Sequence, residues 1–271
     1  MNPASTALRL TGRDVLTVLH RVTTQKLDDL APGESRTTLF CEFRGRLLHR
    51  ATVVHAPGGV VWLLRDDAPG GELAATVDRV VFREDVRVED RSDALAVRLV
   101  RSAEESDATF GGDGVPLRAR ESAGFALATG AEPGRAEGSE ADRIELGRAR
   151  HGSEIQDAFN PYDVNLGSHV HLDKGCFTGQ EALLRMVTRD KVLRGLVRLR
   201  GDGAVPAAQD VLADGAPAGR LTSAAERPGG WTALAVLRVA AMEHAGALML
   251  ADGRAPREFH AFEIARPLGR G

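Results

Sequence analysis

The sequence predicts an α+β chain that closes in a small antiparallel β-barrel. Up to about residue 90, short apolar runs with strand alternation are interleaved with two stretches of helical spacing. From residue 192 onward only short strand candidates remain, separated by Gly, Pro and Asp turns. Between these parts lies a compact motif at the start of a further helix, Leu172-Asp173-Lys174-Gly175-Cys176-Phe177-Thr178-Gly179-Gln180-Glu181.

After Gly12-Arg13-Asp14, the residues Val15, Leu16, Val18, Leu19 and Val22 recur at helical spacing, and Pro32-Gly33 ends that unit. Thr37–Glu42 and Leu47–Val54 flank Phe43-Arg44-Gly45-Arg46 as a hairpin with glycine at the tight position. Val60–Leu64 is a third strand. Leu73, Val77, Val80 and Val81 predict a second helix, and Val86–Glu89 a short strand. Residues 95–101 alternate as a strand and Phe125–Leu127 is a weaker one, whereas 103–116 and 130–140 read as solvated, mobile loops. Glu140–Gly147 is a helix or turn leading to the motif. In the tail, Leu196–Leu199, Val211-Leu212, Arg220–Thr222, Leu234–Leu237, Ala247–Leu250 and Phe259–Ile264 are the strand candidates.

Thr178 followed by Glu181, just before Ala182, Leu183 and Leu184, predicts a capping box and a helix over 179–187. Cys176 then stands two residues before the cap, where the partial positive charge of the helix terminus and the neighbouring Lys174 both favour thiolate. Of the chain's 35 basic residues only Lys26, Lys174 and Lys191 are lysine, so a chain that otherwise chooses Arg places a compact point charge beside this thiol. The blander reading of the same residues is a tight turn with a buried structural cysteine.

A chain of 271 residues, 43% hydrophobic and 27% charged, has the composition of a globular protein with room for one large domain or two to three small ones. Its net charge of -3 sets up no global field toward nucleic acid or anionic membrane, and neither is expected as a direct partner. The apolar-rich stretch Trp231 to Ala251 is broken by Arg238, Glu243 and His244 and is no membrane span. Arg9, Arg13 and Asp14 interrupt any secretory pattern near the start, so a cytoplasmic location is expected. Cys41 and Cys176 form no CxxC pair, which predicts neither a disulfide nor a metal ligand set.

The motif resembles the Lys-Gly-Cys-Tyr-x-Gly-Gln-Glu signature of the YgfZ family, the folate-binding relatives of the glycine-cleavage T-protein, with Phe177 in the Tyr position. Leu8-Arg9-Leu10-x-Gly12-Arg13-Asp14, Arg44-Gly45-Arg46-Leu47, Arg143-Ile144-Glu145-x-Gly147, Gly152-x-Glu154-Ile155, Asn160-Pro161 and Gly219-x-x-Thr222-Ser223 extend the likeness along most of the chain. The resemblance implies a three-lobed, T-protein-like fold around a central folate opening. Its first lobe would be discontinuous (1–35 and 93–190, with the motif), an α+β lobe would be inserted at 36–92, and 191–271 would be the C-terminal antiparallel β-barrel. It implies bound tetrahydrofolate or a one-carbon derivative, and a role in assembly or repair of iron–sulfur clusters, including those of tRNA-modifying enzymes. Iron–sulfur proteins or their assembly machinery would be the partners. The alternative is a tetrahydrofolate-dependent aminomethyl or one-carbon transferase of the T-protein type. Arg65-Asp66-Asp67-Ala68-Pro69 stands where the T-protein has its Val-Asn-Ala signature, a departure in which only Asp66 or Asp67 offers a substitute acid.

A folate site needs a carboxylate for the pterin edge, apolar walls and a cation for the glutamate tail. Glu145 and Glu154 occupy family-matching positions for the first role, Tyr162 or Phe177 suits the second, and Lys174 or Arg185 the third. Arg185 also suits a plain surface ion pair. Cys176 is the expected reactive group, as a nucleophile, as a transient ligand for a cluster in transfer, or as a thiol touching a folate-borne one-carbon unit. His169 and His171 lie close in sequence as candidate bases, although alternation with Val170 and Leu172 leaves both exposed. Cys41 reads as a small buried apolar residue.

Overall fold

A computed structural model of the chain describes residues 5–101, 108–122, 125–130, 139–189, 191–243 and 245–269. Of the two stretches expected to be mobile loops, 103–107 and 131–138 lie outside the described residues, whereas 108–116 holds a short strand and a 3-10 turn in place of a loop. The chain forms two compact units, one of residues 1–43, 48–137 and 169–180, the other of 44–47, 138–168 and 181–271.

The first unit is built on a five-stranded sheet of β1 (Thr6–Thr11), β2 (Ser35–Cys41), β3 (Leu47–His55), β4 (Val61–Arg65) and β5 (Arg87–Asp90), in the order β2-β3-β4-β1-β5. Two helices, α1 (Val15–Val22) and α2 (Gly71–Asp78), cover one face, where Val15, Leu19, Leu73 and Val77 pack on Leu8, Leu10, Val53, Val61 and Leu63. The other face carries Ala7, Val54, Trp62 and Leu64. It packs on Val97, Ala119 and Leu127 from a four-stranded sheet of β6 (Ala96–Arg101), β7 (Ala108–Phe110), β8 (Pro116–Ser122) and β9 (Phe125–Gly130). With both faces covered, β4 is buried at every position, which is why its sequence runs Val-Trp-Leu-Leu without polar alternation.

Three strands escape the sequence pattern. Thr6–Thr11 is held as β1 by antiparallel partners on both sides, β4 and β5, and not by local propensity. Ala108–Phe110 is too short to alternate. In β8 the inward positions are Pro116, Ala119 and Glu121, so an inward carboxylate hides the apolar period. The second helix stops at Asp78, leaving Val80 and Val81 in the turn that follows.

The second unit contains α3 (Glu140–Glu145) and most of α4 (Gln180–Thr188). Its core lies in a six-stranded antiparallel sheet of β10 (Arg194–Gly201), β11 (Asp210–Ala213), β12 (Ala216–Arg227), β13 (Gly230–Arg238), β14 (Leu248–Leu250) and β15 (Glu258–Ala261). The one-turn α5 (Val239–Met242) follows β13. All six tail strands expected from the sequence are present. Trp231, Leu199, Val211, Leu221, Ala235 and Leu237 fill the interior. No helix among the described residues is long and apolar enough to cross a membrane.

Candidate functional site

Segment 169–180 is fastened to the exit of α1. An eight-residue helix leaves its last carbonyls without intrahelical partners. Thr23 satisfies Leu19 O through its own N–H and hydroxyl, but the carbonyls beyond it turn toward Lys174. Its Nζ donates to Thr23 O at 2.6 Å, to Gln25 O at 2.8 Å and to His20 O, so that all three N–H groups of the ammonium are used. Lys174 is only 6% exposed, and burial lowers its pKa from the usual lysine range to about 7, against the opposing charge of Asp28. The Phe177 ring lies 5.1 Å below the ammonium and is itself buried. Thr24 adds two bonds, its hydroxyl to His169 O (2.7 Å) and its carbonyl from His171 N (2.9 Å).

The far side of the turn is closed by Gln180, whose Nε2 donates to Leu172 O at 3.1 Å and Lys174 O at 3.4 Å. Gly179 enters α4 at φ +84, a left-handed conformation that a side chain resists. The expected capping box does not form: Gln180 N bonds Phe177 O, and the Glu181 carboxylate pairs instead with Arg185 one turn along. Within these locks Cys176 is a free, exposed thiol, and Cys41 is free and buried. The reading of Cys176 as a buried structural cysteine is thereby excluded. Lys174, expected to activate this thiol, spends its ammonium on α1 instead.

His20 went unnoticed in the sequence. Its Nδ1 accepts N–H groups from Leu27 (3.1 Å) and Asp28 (3.2 Å), which leaves the ring proton on Nε2. That nitrogen faces Gly175, 3.9 Å from where a Cβ would stand. Burial and the Lys174 charge lower the pKa of His20. The only signal was its place in the last turn of the first helix.

The remaining residues matched to folate each have partners within the chain. Glu154 is 0% exposed and fully committed. Its Oε2 accepts from Arg143 Nη1 (3.2 Å) and Arg150 N (3.1 Å), and its Oε1 from Thr222 Oγ1 (2.5 Å) and Ser223 Oγ (2.6 Å). Thr222 is the extra residue of a β-bulge, which turns two successive hydroxyls toward one carboxylate. Glu145 is clasped by Arg200 through both oxygens and by Arg198 at 3.0 Å, and although burial opposes it, these bonds lower its pKa. Tyr162 is 1% exposed, enclosed in the second unit. Arg185 is a surface residue in its pair with Glu181. Of the seven expected residues, Lys174, Cys176 and Phe177 belong to the first unit, and Glu145, Glu154, Tyr162 and Arg185 to the second.

The first unit holds a second polar cluster. Arg50, buried, faces Asp67 at 3.1 Å, Glu121 at 3.5 Å and Asp66 at 3.9 Å. His169 sits in the field of Glu121 and Arg50, and its burial lowers its pKa to about 4. The expectation of two exposed histidines fails here: His169 and His171 are both partly buried, while Val170 and Leu172 do lie inside. Among the described residues no group of three or more His, Cys, Asp or Glu side chains is arranged to hold a metal ion.

A helix-backed sheet unit joined to an antiparallel C-terminal sheet defines a protein of the T-protein fold class. The glycine cleavage system aminomethyltransferase T from Bartonella henselae superposes with a TM-score of 0.78 at 15% identity, over 98% of this chain and 86% of that one. Residues 194–261 match the family described as the CAF17 C-terminal β-barrel domain, which bears out the YgfZ resemblance read from the sequence. A chloroplastic putative transferase of Arabidopsis thaliana is 33% identical over 97 residues, 36% of this chain but only 22% of that protein's length.

Proposed function

We propose that this protein is a folate-binding factor of the T-protein fold that supports assembly or repair of iron–sulfur clusters in the cytoplasm, including those of tRNA-modifying enzymes, with Cys176 as its reactive group. The fold and the CAF17-type barrel support the folate-related part of the reading. The observation that carries the thiol is its exposure: Lys174, Phe177, Gly179 and Gln180 all hold the turn, and Cys176 is left exposed on it as a free thiol. Such a thiol suits transient contact with a cluster or a partner sulfur.

Three of the residues first matched to folate are engaged or enclosed within the chain itself. Glu154 has two donors on each oxygen, Lys174 has no N–H to spare, and Tyr162 is walled in. Folate binding in this reading rests on the fold. The test is anaerobic titration of the purified protein with tetrahydrofolate, together with complementation by Cys176→Ser. Binding in both proteins, with loss of cluster-enzyme support in the variant, is the expected result. Full complementation would sink the thiol, and absence of binding would sink the folate.

The second reading, one-carbon transfer, is favoured by the names of two similar proteins, an aminomethyltransferase and a putative transferase. Formation of methylene-tetrahydrofolate from an added amine, unaffected by Cys176→Ser, would select it.

A further inference from the structure

The exit of α1, His20 to Gln25, receives five hydrogen bonds involving segment 169–174, three from Lys174 and two at Thr24. The three carbonyls that Lys174 serves converge on one nitrogen from different directions. An ammonium, with three N–H groups diverging from a point, fits that arrangement. A guanidinium, whose five N–H groups lie in one plane, does not. This accounts for a lysine in a chain that has only three among 35 basic residues.

We propose that Lys174 is a positioning residue: it caps the carbonyls at the exit of α1 and thereby anchors the turn bearing Cys176, and its charge is neither a thiol activator nor a cation for a ligand. Gln180 is the second clamp of the same turn, tying Leu172 O and Lys174 O to the start of α4. The inference rests on the reading of Cys176 as the reactive group, but its test requires neither folate nor a cluster protein. Failure of the proposed function and failure of the anchor therefore give different results.

The experiment compares Lys174→Arg and Lys174→Met with the wild type in three measurements. Thermal unfolding of the first unit should drop by about 5 °C or more in both variants alike, since arginine restores the charge but not the cap. Amide exchange in 20–25 and 169–180 should speed by about tenfold or more, with strands 194–238 unchanged. The pH midpoint of Cys176 alkylation should stay within about 0.3 unit of the wild type, because the ammonium is directed at α1. A charge role predicts the reverse: arginine behaves as wild type, and methionine raises the alkylation midpoint by about one unit. Either that pattern, or unaltered exchange in both variants, overturns the proposal. Should neither lysine variant fold, Gln180→Met provides the second arm. It should loosen 172–180 and leave 20–25 protected, and equal loosening of both segments, or of neither, would refute the two-clamp assignment.

Discussion

Removing the Glu154 side chain separates a structural role from a ligand role. In Glu154→Ala the Arg143 guanidinium, 8% exposed, keeps Glu140 but loses its buried partner. Arg150 N loses its acceptor, while Thr222 retains an alternative in Leu234 O at 3.1 Å. Breaking a buried pair by deleting one member costs about 3–5 kcal/mol, and the retained hydroxyl partner argues for the lower half, about 3–4 kcal/mol. In a unit of this size that lowers the unfolding midpoint by about 10 °C. The chain supplies its own reporters, because its two tryptophans, Trp62 and Trp231, lie one in each unit, both buried. In a Trp62→Phe background the fluorescence of Trp231 follows the second unit alone. Glu154→Ala should shift that transition by the stated amount without folate present, and Glu154→Gln by roughly half, since the amide oxygen still serves two of the four donors. A shift below about 2 °C, with loss of folate affinity instead, would refute the reasoning and return Glu154 to the ligand.

Two further outcomes follow from burial. Iodoacetamide should add one equivalent to the native protein, at Cys176, and a second only on unfolding, because Cys41 is buried and burial together with Glu42 pushes its thiol pKa far up. Mass spectrometry of the native adduct checks this, and native modification of Cys41 would contradict it. His169, with its pKa lowered from 6.5 to about 4 by burial and by Arg50, against Glu121, is protonated in the unfolded chain but not in the folded one between those values. Stability present above pH 6.5 is therefore lost as pH falls toward 4, by about 2 kcal/mol at pH 5 from this group, and His169→Gln should flatten that part of the urea-denaturation profile.

The legible parts of the sequence were those where one local rule operates alone. The period of Val15, Leu19 and Val22, the glycine hairpin at Gly45 and the turn-punctuated tail gave α1, β2, β3 and all six strands of the last sheet. What stayed hidden depends on partners distant in sequence. β8 was lost because Glu121 points inward, where its partners include Arg50, 71 residues earlier. In the candidate site, residue types were legible and their hydrogen-bond partners were not. An acidic residue at 154 was legible, but its four donors lie at 143, 150, 222 and 223, and the bulge that aligns the last two leaves no local trace. The lysine at 174 was conspicuous by composition, yet its acceptors are backbone carbonyls of an element some 150 residues away, where no side-chain pattern marks them.

Prior commitment of a side chain to buried partners also separates the two functional readings. One-carbon transfer requires an acidic group close to the folate, and Asp66 and Asp67 were the substitutes that the sequence offered. In the structure both face Arg50, with Glu121 completing the cluster. Asp67 and Arg50 are almost fully buried, and a carboxylate that gives its lone pairs to a buried guanidinium is poorly disposed to accept a proton from substrate. Releasing Asp67 would leave Arg50 short of a partner in a site that water scarcely reaches, a change costing several kcal/mol by the usual behaviour of buried pairs. Cys176 carries no such debt: it is exposed, and no packing or hydrogen bond must break before it reacts. The reading that needs the least rearrangement is the one whose chemistry runs through the thiol, which is why the cluster factor is preferred to the transferase.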